Sequence, residues 1–388
     1  MIHGPQRASL DDFDSIIEIA DMCFIHDRDR GGMLARWPHC YIRDADFIKN
    51  CLIMKDGSKV VSLVEYVDQT MIVNGEEIKT AGITAVSTWP TYRGRGLMTG
   101  LLKRCVSLME EEGYAFSDLG GDRLRYGRYG WENAGRAWRF NITKRSFDAV
   151  DAPSGVHVVP YQASDEEIDA VMDIHEREPI RMKRSRFLYK ILLGRLGKQV
   201  WLAKGKEGII AYVIAEPAEQ DQRIVELGGR ADGIHSIFAH FVENSDTRYI
   251  HIRSPWSHPL NSLLFHISSR WNLGTIRMMK IIDLKATLSG FAHQLGARYN
   301  ALGMEGSRSV VLRMSNTDQQ VEVTFSSEGA TVKEAATSTN AISLSDREMA
   351  RFVFGPGAPG TVANLTENMG FLDALLPVDF YLWPNETV

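Results

Sequence analysis

The 388-residue chain lacks most of the features by which a sequence announces its chemistry. It has four cysteines, Cys23, Cys40, Cys51 and Cys105, all in the first third and none in a CxxC pair. That argues against a disulfide framework or a cysteine-ligated zinc module, and predicts reduced thiols buried as small hydrophobes. No apolar run approaches the ~20 residues needed to span a bilayer, and the opening residues lack the basic-then-apolar layout of a signal peptide. Charge of one sign is scarce too: 44 Lys and Arg against 49 Asp and Glu leave a net charge of -5, so no field favours nucleic acid or an anionic membrane. There is no HExxH, no HxH and no Cys/His set at ligand spacing, and His235 and His240 are too far out of phase to share a helix face; no metal is expected. Neither a GxSxG elbow nor a GxxxxGK[ST] loop occurs. The basic run from Arg177 to Lys198 reads as a solvated helix face or a subunit contact rather than a nucleic-acid site. With 44% hydrophobic and 24% charged residues, what remains is a globular, cytoplasmic chain long enough for two or three domains.

The elements that are present fall into three segments, 1–150, 151–284 and 285–388. The first alternates helix and strand signals. Ser9 is placed to cap a helix carrying Phe13, Ile16, Ile17 and Ala20 at helical spacing, and Asn74-Gly75 marks a hairpin between two strands. The strand ending at Thr88 then runs into a glycine-rich turn and an amphipathic helix closed by Gly113. The second segment repeats the rhythm, with Ser164 and Glu167 in capping-box spacing, but it has GGRADGIHSI where the first has TYRGRGLMTG. The third segment alternates apolar and polar residues over two or three strands, followed by a helix capped by Ser343 or Ser345 and an aromatic tail. The fold class expected is α/β with an α+β end: two related domains, the second degenerate, and a small module.

The chemistry concentrates at Arg93-Gly94-Arg95-Gly96-Leu97-Met98. A turn that opens a helix presents free amide donors at the positive end of the helix dipole, which suits phosphate oxygens. Glycines allow close backbone approach, and arginines add fork-shaped donors. A solvated turn is one alternative. A dinucleotide loop is another, with Asp118 as the ribose acid, although Gly94, Gly96 and Gly100 give one residue too many for its spacing.

These residues resemble the R-x-x-G-x-G/A signature of the GCN5-related N-acetyltransferases (GNAT), which bind acetyl-CoA. Met98 stands where Gly or Ala is usual. That departure, with the three-part layout, resembles the enhanced-intracellular-survival (Eis) branch: an acetyltransferase domain, a degenerate GNAT-like domain and a sterol-carrier-protein-like domain. The resemblance implies transfer of acetyl from acetyl-CoA, without metal, to a primary amine of an aminoglycoside-like or polyamine-like compound or a lysine. Alternatives are another acyl-CoA, a hydroxyl acceptor, or a non-catalytic ligand carrier. The resemblance also implies that Val86, Ser87 and Thr88 contact the pantetheine arm and acetyl carbonyl, and that Arg93, Gly94, Arg95, Gly96, Leu97 and Met98 cradle the pyrophosphate. Tyr126 matches the family's general acid, and the Val388 carboxylate matches its C-terminal general base, although the tail does not end in the family's phenylalanine and Glu386 stands nearby. Asp27 and Trp37 match acceptor-pocket positions. A homo-oligomer, trimer or hexamer, is implied by the same analogy.

Overall fold

The computed structural model describes residues 1–25, 31–147, 153, 155–244, 247–336 and 340–388. Part of the Ala152–Gly155 stretch, which by its Pro and Gly reads as a linker between the first two segments, lies outside them. The chain divides into two compact units: one holds Met1–Gly135, Arg277–Val378 and Val388, the other Arg136–Ile276 and Asp379–Thr387.

In the first unit, β1 (Ile2–Arg7), β2 (Cys51–Asp56), β3 (Lys59–Val73) and β4 (Glu76–Thr88) form an antiparallel series. β5 (Phe116–Leu119) joins parallel to β4, and the strand Arg277–Ile281 lies antiparallel between β5 and β6 (Glu132–Ala134). The β3–β4 hairpin closes with Val73 opposite Glu76. Asn74 and Gly75 between them take φ of +51° and +93°, the left-handed pair that matches strand twist. The chain between β4 and β5 forms α4 (Leu97–Glu111), packed on one face of the sheet, where Leu101, Leu102, Cys105, Leu108 and Met109 meet Leu52, Val64, Tyr66 and Ile83. The opposite face is covered by α1 (Phe13–Phe24), whose Phe13, Ile16, Ile19 and Ala20 pack with Cys51, Ile53, Leu63 and Ala85. Ser9 caps a short 3-10 turn, Leu10–Asp12, rather than α1 itself: its amide donates to Asp12 Oδ2 at 3.0 Å. Short helices α2 (Met33–Arg36) and α3 (Ala45–Ile48) follow α1, and α5 (Arg123–Tyr126) follows β5.

The rest of this unit holds a four-stranded sheet in the order Gly329–Glu334, Gln320–Ser326, Arg308–Met314, Ile342–Leu344, with helices Ala292–Ala301 and Asp346–Phe354. Ser345 caps the second of these helices, and Glu348 returns to the Ser345 amide at 2.9 Å.

The second unit has its own sheet, ordered Arg270–Gly274, Ala137–Thr143, Tyr249–Pro255, Asp221–Gly229, Gly208–Ala218, Gln199–Gly205, His157–Pro160. As in the first unit, its one parallel pairing among the described residues brackets a helix, Ala231–Asn244. The Ser164–Glu167 capping box starts the helix Asp165–Glu176. The basic run is not wholly solvated: Arg184 is buried and donates both terminal nitrogens to Glu226 at 2.8 Å, with its Nε on Glu386 at 2.9 Å. Tyr212 Oη and Asn385 Nδ2 also donate to Glu226, at 2.8 and 3.1 Å. Burial of a guanidinium is tolerated here because every charge meets a partner.

Candidate active site

The site begins where two parallel strands part. Pairing of β4 with β5 runs from Thr80–Phe116 to Ile83–Leu119 and stops, although β4 continues to Thr88. On the other side of β4 the register slips between Glu65–Thr84 and Leu63–Ser87. Ala85 takes φ of +55° within that slip, so a β-bulge bends β4 away from β5. The gap leaves Thr84, Ala85 and Val86 facing Leu119 and Gly120 across a cavity of about 230 Å³. Ser62 Oγ donates to Ser87 O at 3.0 Å and lies 2.8 Å from Thr88 Oγ1, fixing the end of β4.

Beyond β4 a 3-10 turn, Pro90–Tyr92, leads into the arginine-glycine run. Gly94 and Gly96 have φ of +77° and +75°, and a Cβ added at either would meet nothing within 4 Å. Gly96 is the N-cap of α4 and offers no side chain, so the first-turn amides of α4 have no side-chain acceptor there. Arg93 and Arg95 are exposed at the rim, their guanidinium groups on Thr88 O at 3.3 Å and Thr91 O at 3.1 Å. Leu97 and Met98 pack partly into the α4-side core. The result is an open, positively polarised cradle large enough for phosphate oxygens.

The corresponding junction of the second unit is closed. A Cβ at Gly229 would stand 2.3 Å from Ile210 O. The helix begins at once, with Asp232 Oδ1 accepting from the Gly233 amide at 2.9 Å and from Arg230 Nε at 3.1 Å. Its own side chains occupy the donors that the first unit leaves open.

Tyr126, at the end of α5, lines the same cavity as Val86 and Leu119. Asp122 caps α5, accepting from the Arg125 amide at 2.8 Å. Tyr129 lies 2.7 Å from Thr99 Oγ1, tying the loop after α5 to α4. Burial pushes the Tyr126 hydroxyl up, with Arg125 opposing, so the group is protonated at neutral pH and able to donate. Trp37, Phe24 and Met33 form the wall opposite β4. Val388 completes it: a Cβ at Gly82 would stand 2.3 Å from Val388 Cγ2, so only glycine leaves room for that side chain on β4. Arg277 Nη2 donates to Val388 O at 2.9 Å, and Arg277 Nε lies 2.5 Å from Asp118 Oδ2. Burial pushes the Asp118 carboxyl up, while Arg277 draws it back.

The structure thus brings Val86, Trp37, Tyr126 and Val388 to one cavity and places Ser87, Thr88 and Arg93 through Met98 on the path leading from it. Asp27 lies outside the described residues. Glu386 stands in the second unit, on Arg184. Sequence reasoning missed Arg277 and the walls Phe24 and Met33, and it considered Asp118 only as a ribose acid. No local motif marks Arg277, since its partners are more than a hundred residues away. Among the described residues no group of His, Cys, Asp or Glu is arranged to hold a metal, and no helix is long and apolar enough to cross a membrane.

Comparison with known proteins gives this geometry a context. Residues 5–134 match the family model described as an acetyltransferase (GNAT) domain, so the first third of the chain is similar to such a domain. N-acetyltransferase Eis of Mycobacterium tuberculosis is 33% identical over 103 residues, a match spanning 26% of this chain and 25% of that relative. The chain's match therefore spans about a quarter of the length of the curated relatives. A probable N-acyltransferase from Enterococcus faecalis superposes with a TM-score of 0.75 at 14% identity, over 100% of this chain and 97% of that one. Eis1 from Mycobacterium abscessus superposes with a TM-score of 0.69 at 14% identity, over 99% of each. At such identities the likeness shows the fold, a mixed α/β architecture of the GNAT type extending over the whole chain.

Proposed function

We propose that this protein is an Eis-like N-acetyltransferase that moves an acetyl group from acetyl-CoA to a primary amine within one ternary complex. The observation that carries this reading is the continuity of an anion cradle at Gly94–Leu97 with a strand gap ending at Tyr126 and Val388. Acetyl-CoA supplies an activated thioester; the chain's residues bind and orient it and move protons. The amides at the start of α4, with Arg93 and Arg95, would hold the pyrophosphate. The unpaired edge of β4 from Val86 to Thr88 would hydrogen-bond the pantetheine amides and polarise the acetyl carbonyl. Tyr126 would protonate the leaving thiolate. Trp37 would face the acceptor amine across the cavity, and the terminal oxygen of Val388, held by Arg277, presents a negative pole to an ammonium group.

The acceptor we infer is an aminoglycoside-like or polyamine-like compound or a lysine side chain, in a cytoplasmic homo-oligomer. We also propose the segments 1–150, 151–284 and 285–388 as catalytic, degenerate and sterol-carrier-protein-like domains. The closed turn at Gly229 supports the second assignment. A carrier of apolar ligands is a weaker reading. The cavity of about 470 Å³ in the C-terminal module is lined by Asp283, Lys285, Arg313, Asp318, Gln319 and Glu334 among others, a wall suited to water.

The test is calorimetric titration of acetyl-CoA into the protein and into Arg93→Ala, followed by a thiol-release assay with amine acceptors. Micromolar binding that weakens at least tenfold in the variant is expected. No binding to the parent protein would overturn the proposal.

A further inference from the structure

Glu65 is a carboxylate for which nothing above finds a use. It lies in the middle of β3, paired across the ladder with Thr84 on β4 and with Cys51 on β2. Leu63, Val67 and Cys51 pack on the α1 side of the sheet, so Glu65 faces that side, whereas Tyr66 and Ile83 face α4. Directly opposed antiparallel residues stand with Cβ atoms about 4.5–5.5 Å apart on one face. Glu65 is therefore next to Thr84, which lines the cavity, and two pairs along the ladder from Gly82, on which Val388 rests. Glu65 is 3% exposed, and its Oε2 has no hydrogen-bond partner among the described residues. The Tyr41 hydroxyl beside it has none either.

We propose that Glu65 is the proton acceptor for the acceptor ammonium, reached through the hydroxyl of Thr84. This rests on the acetyl-transfer reading and alters its assignment of the base. The two carboxylates of this wall have divided fates. Asp118 is matched to Arg277, which also takes up a lone pair of the terminal oxygen at Val388. Among the described residues, Glu65 has an open oxygen and no cation paired with it. Among the described residues, the titratable groups next to it are Tyr41, from the segment after α2, and Cys51 on β2, with Cys105 of α4 behind the sheet. Burial pushes Tyr41, Cys51 and Cys105 up, which keeps them neutral. Burial likewise pushes Glu65 up to about 8, so the carboxylate that accepts a proton forms as the pH approaches the range where an ammonium gives one up.

The proton balance closes. The ammonium N–H proton passes to the Thr84 oxygen as the Thr84 proton passes to the Glu65 carboxylate, leaving a neutral amine and a neutral Glu65. The amine lone pair forms the C–N bond at the acetyl carbonyl, the C–S bond breaks, and the thiolate takes the Tyr126 proton. As the amide forms, the adduct nitrogen sheds its second N–H proton to solvent, and solvent returns one proton to Tyr126, so these two cancel. The excess proton from the amine, held on Glu65, leaves to solvent.

The experiment follows thiol release with acetyl-CoA and two acceptors, kanamycin, whose amines are protonated at neutral pH, and methoxyamine, which is already neutral. Parent protein, Glu65→Gln and Thr84→Val are compared, with calorimetric acetyl-CoA binding as the check on folding. Both variants should bind acetyl-CoA like the parent, lose at least ~100-fold in kcat with kanamycin, and lose the alkaline rise of its pH profile. With methoxyamine each should stay within a few fold of the parent. Retained kanamycin activity, or equal loss with both acceptors, would overturn the assignment. Should Glu65→Gln fail to bind acetyl-CoA, Thr84→Val and Glu65→Asp decide the matter alone. A parent protein inactive with both acceptors would refute the acetyl-transfer reading itself.

Discussion

Gly96 and Gly113 form a matched pair at the two ends of α4, and the difference between them is a direct test of the phosphate cradle. Both take φ of +75°, and a Cβ at either would meet nothing within 4 Å. Alanine at each position therefore carries the same conformational penalty, about 1–2 kcal/mol for a left-handed residue with a Cβ, and no steric clash adds to it. The midpoints of denaturation of Gly96→Ala and Gly113→Ala should fall by similar amounts. Their ligand binding should not. Gly96 is the N-cap of α4, so its Cβ enters the space beside the free amides, whereas the Gly113 amide bonds Glu110 O at 3.2 Å beyond the helix end, away from the turn. Displacing one charge-assisted contact costs about 1.4 kcal/mol or more, at least tenfold in Kd. Calorimetric titration of acetyl-CoA should show that loss in Gly96→Ala and an unchanged Kd in Gly113→Ala. Equal affinities in the two variants, or equal losses, would refute the placement of the phosphates.

Three further outcomes are expected. Tyr126→Phe should lower kcat by about 10²-fold or more while leaving acetyl-CoA affinity within twofold, as for loss of a proton donor; stopped-flow binding with steady-state turnover checks both. Glu226→Ala should destabilise the second unit by about 3–5 kcal/mol, because Arg184 would keep its buried charge without its bidentate partner; denaturant unfolding followed by the fluorescence of Trp201 checks this, and a loss under 1 kcal/mol would refute it. Glu65→Gln should stabilise the protein in alkaline solution. The folded carboxyl keeps its proton up to about 8, whereas the unfolded one releases it near ~4.3. Between those values the folded state binds the extra proton, so the parent loses stability as pH rises. The variant should exceed the parent by about 4 kcal/mol near pH 8 and by little near pH 4, read from unfolding midpoints across that range.

What was legible in the sequence is what a few neighbouring residues decide. Asn74-Gly75, the Ser164–Glu167 box and a serine cap at 343 or 345 each act over four residues or fewer; the first two stand where expected and the cap falls at Ser345. The arginine-glycine turn belongs to the same class, since backbone amides at a helix start and glycines at positive φ are set by adjacent positions. The basic run near Arg184 misled for the opposite reason. Its partners Glu226 and Glu386 lie 42 and 202 residues on, so no spacing rule shows that a surface-like arginine becomes the centre of a buried network. The bulge was equally silent, because alanine carries no preference for the φ of +55° at Ala85.

The division runs through the site itself. Anion binding is built from backbone geometry at one turn and is local. Proton chemistry depends on which carboxylate lacks a cation, and that is settled by chain segments far apart. Asp118 and Glu65 are alike in sequence, each an acid in an apolar strand. Arg277, from a strand that joins the sheet more than a hundred and fifty residues after β5, binds Asp118 and Val388, and no cation among the described residues is paired with Glu65. A buried carboxylate without a partner lowers stability wherever it is ionised. Its place beside Thr84, at the one bulge that opens the sheet, is where such a cost has a chemical use.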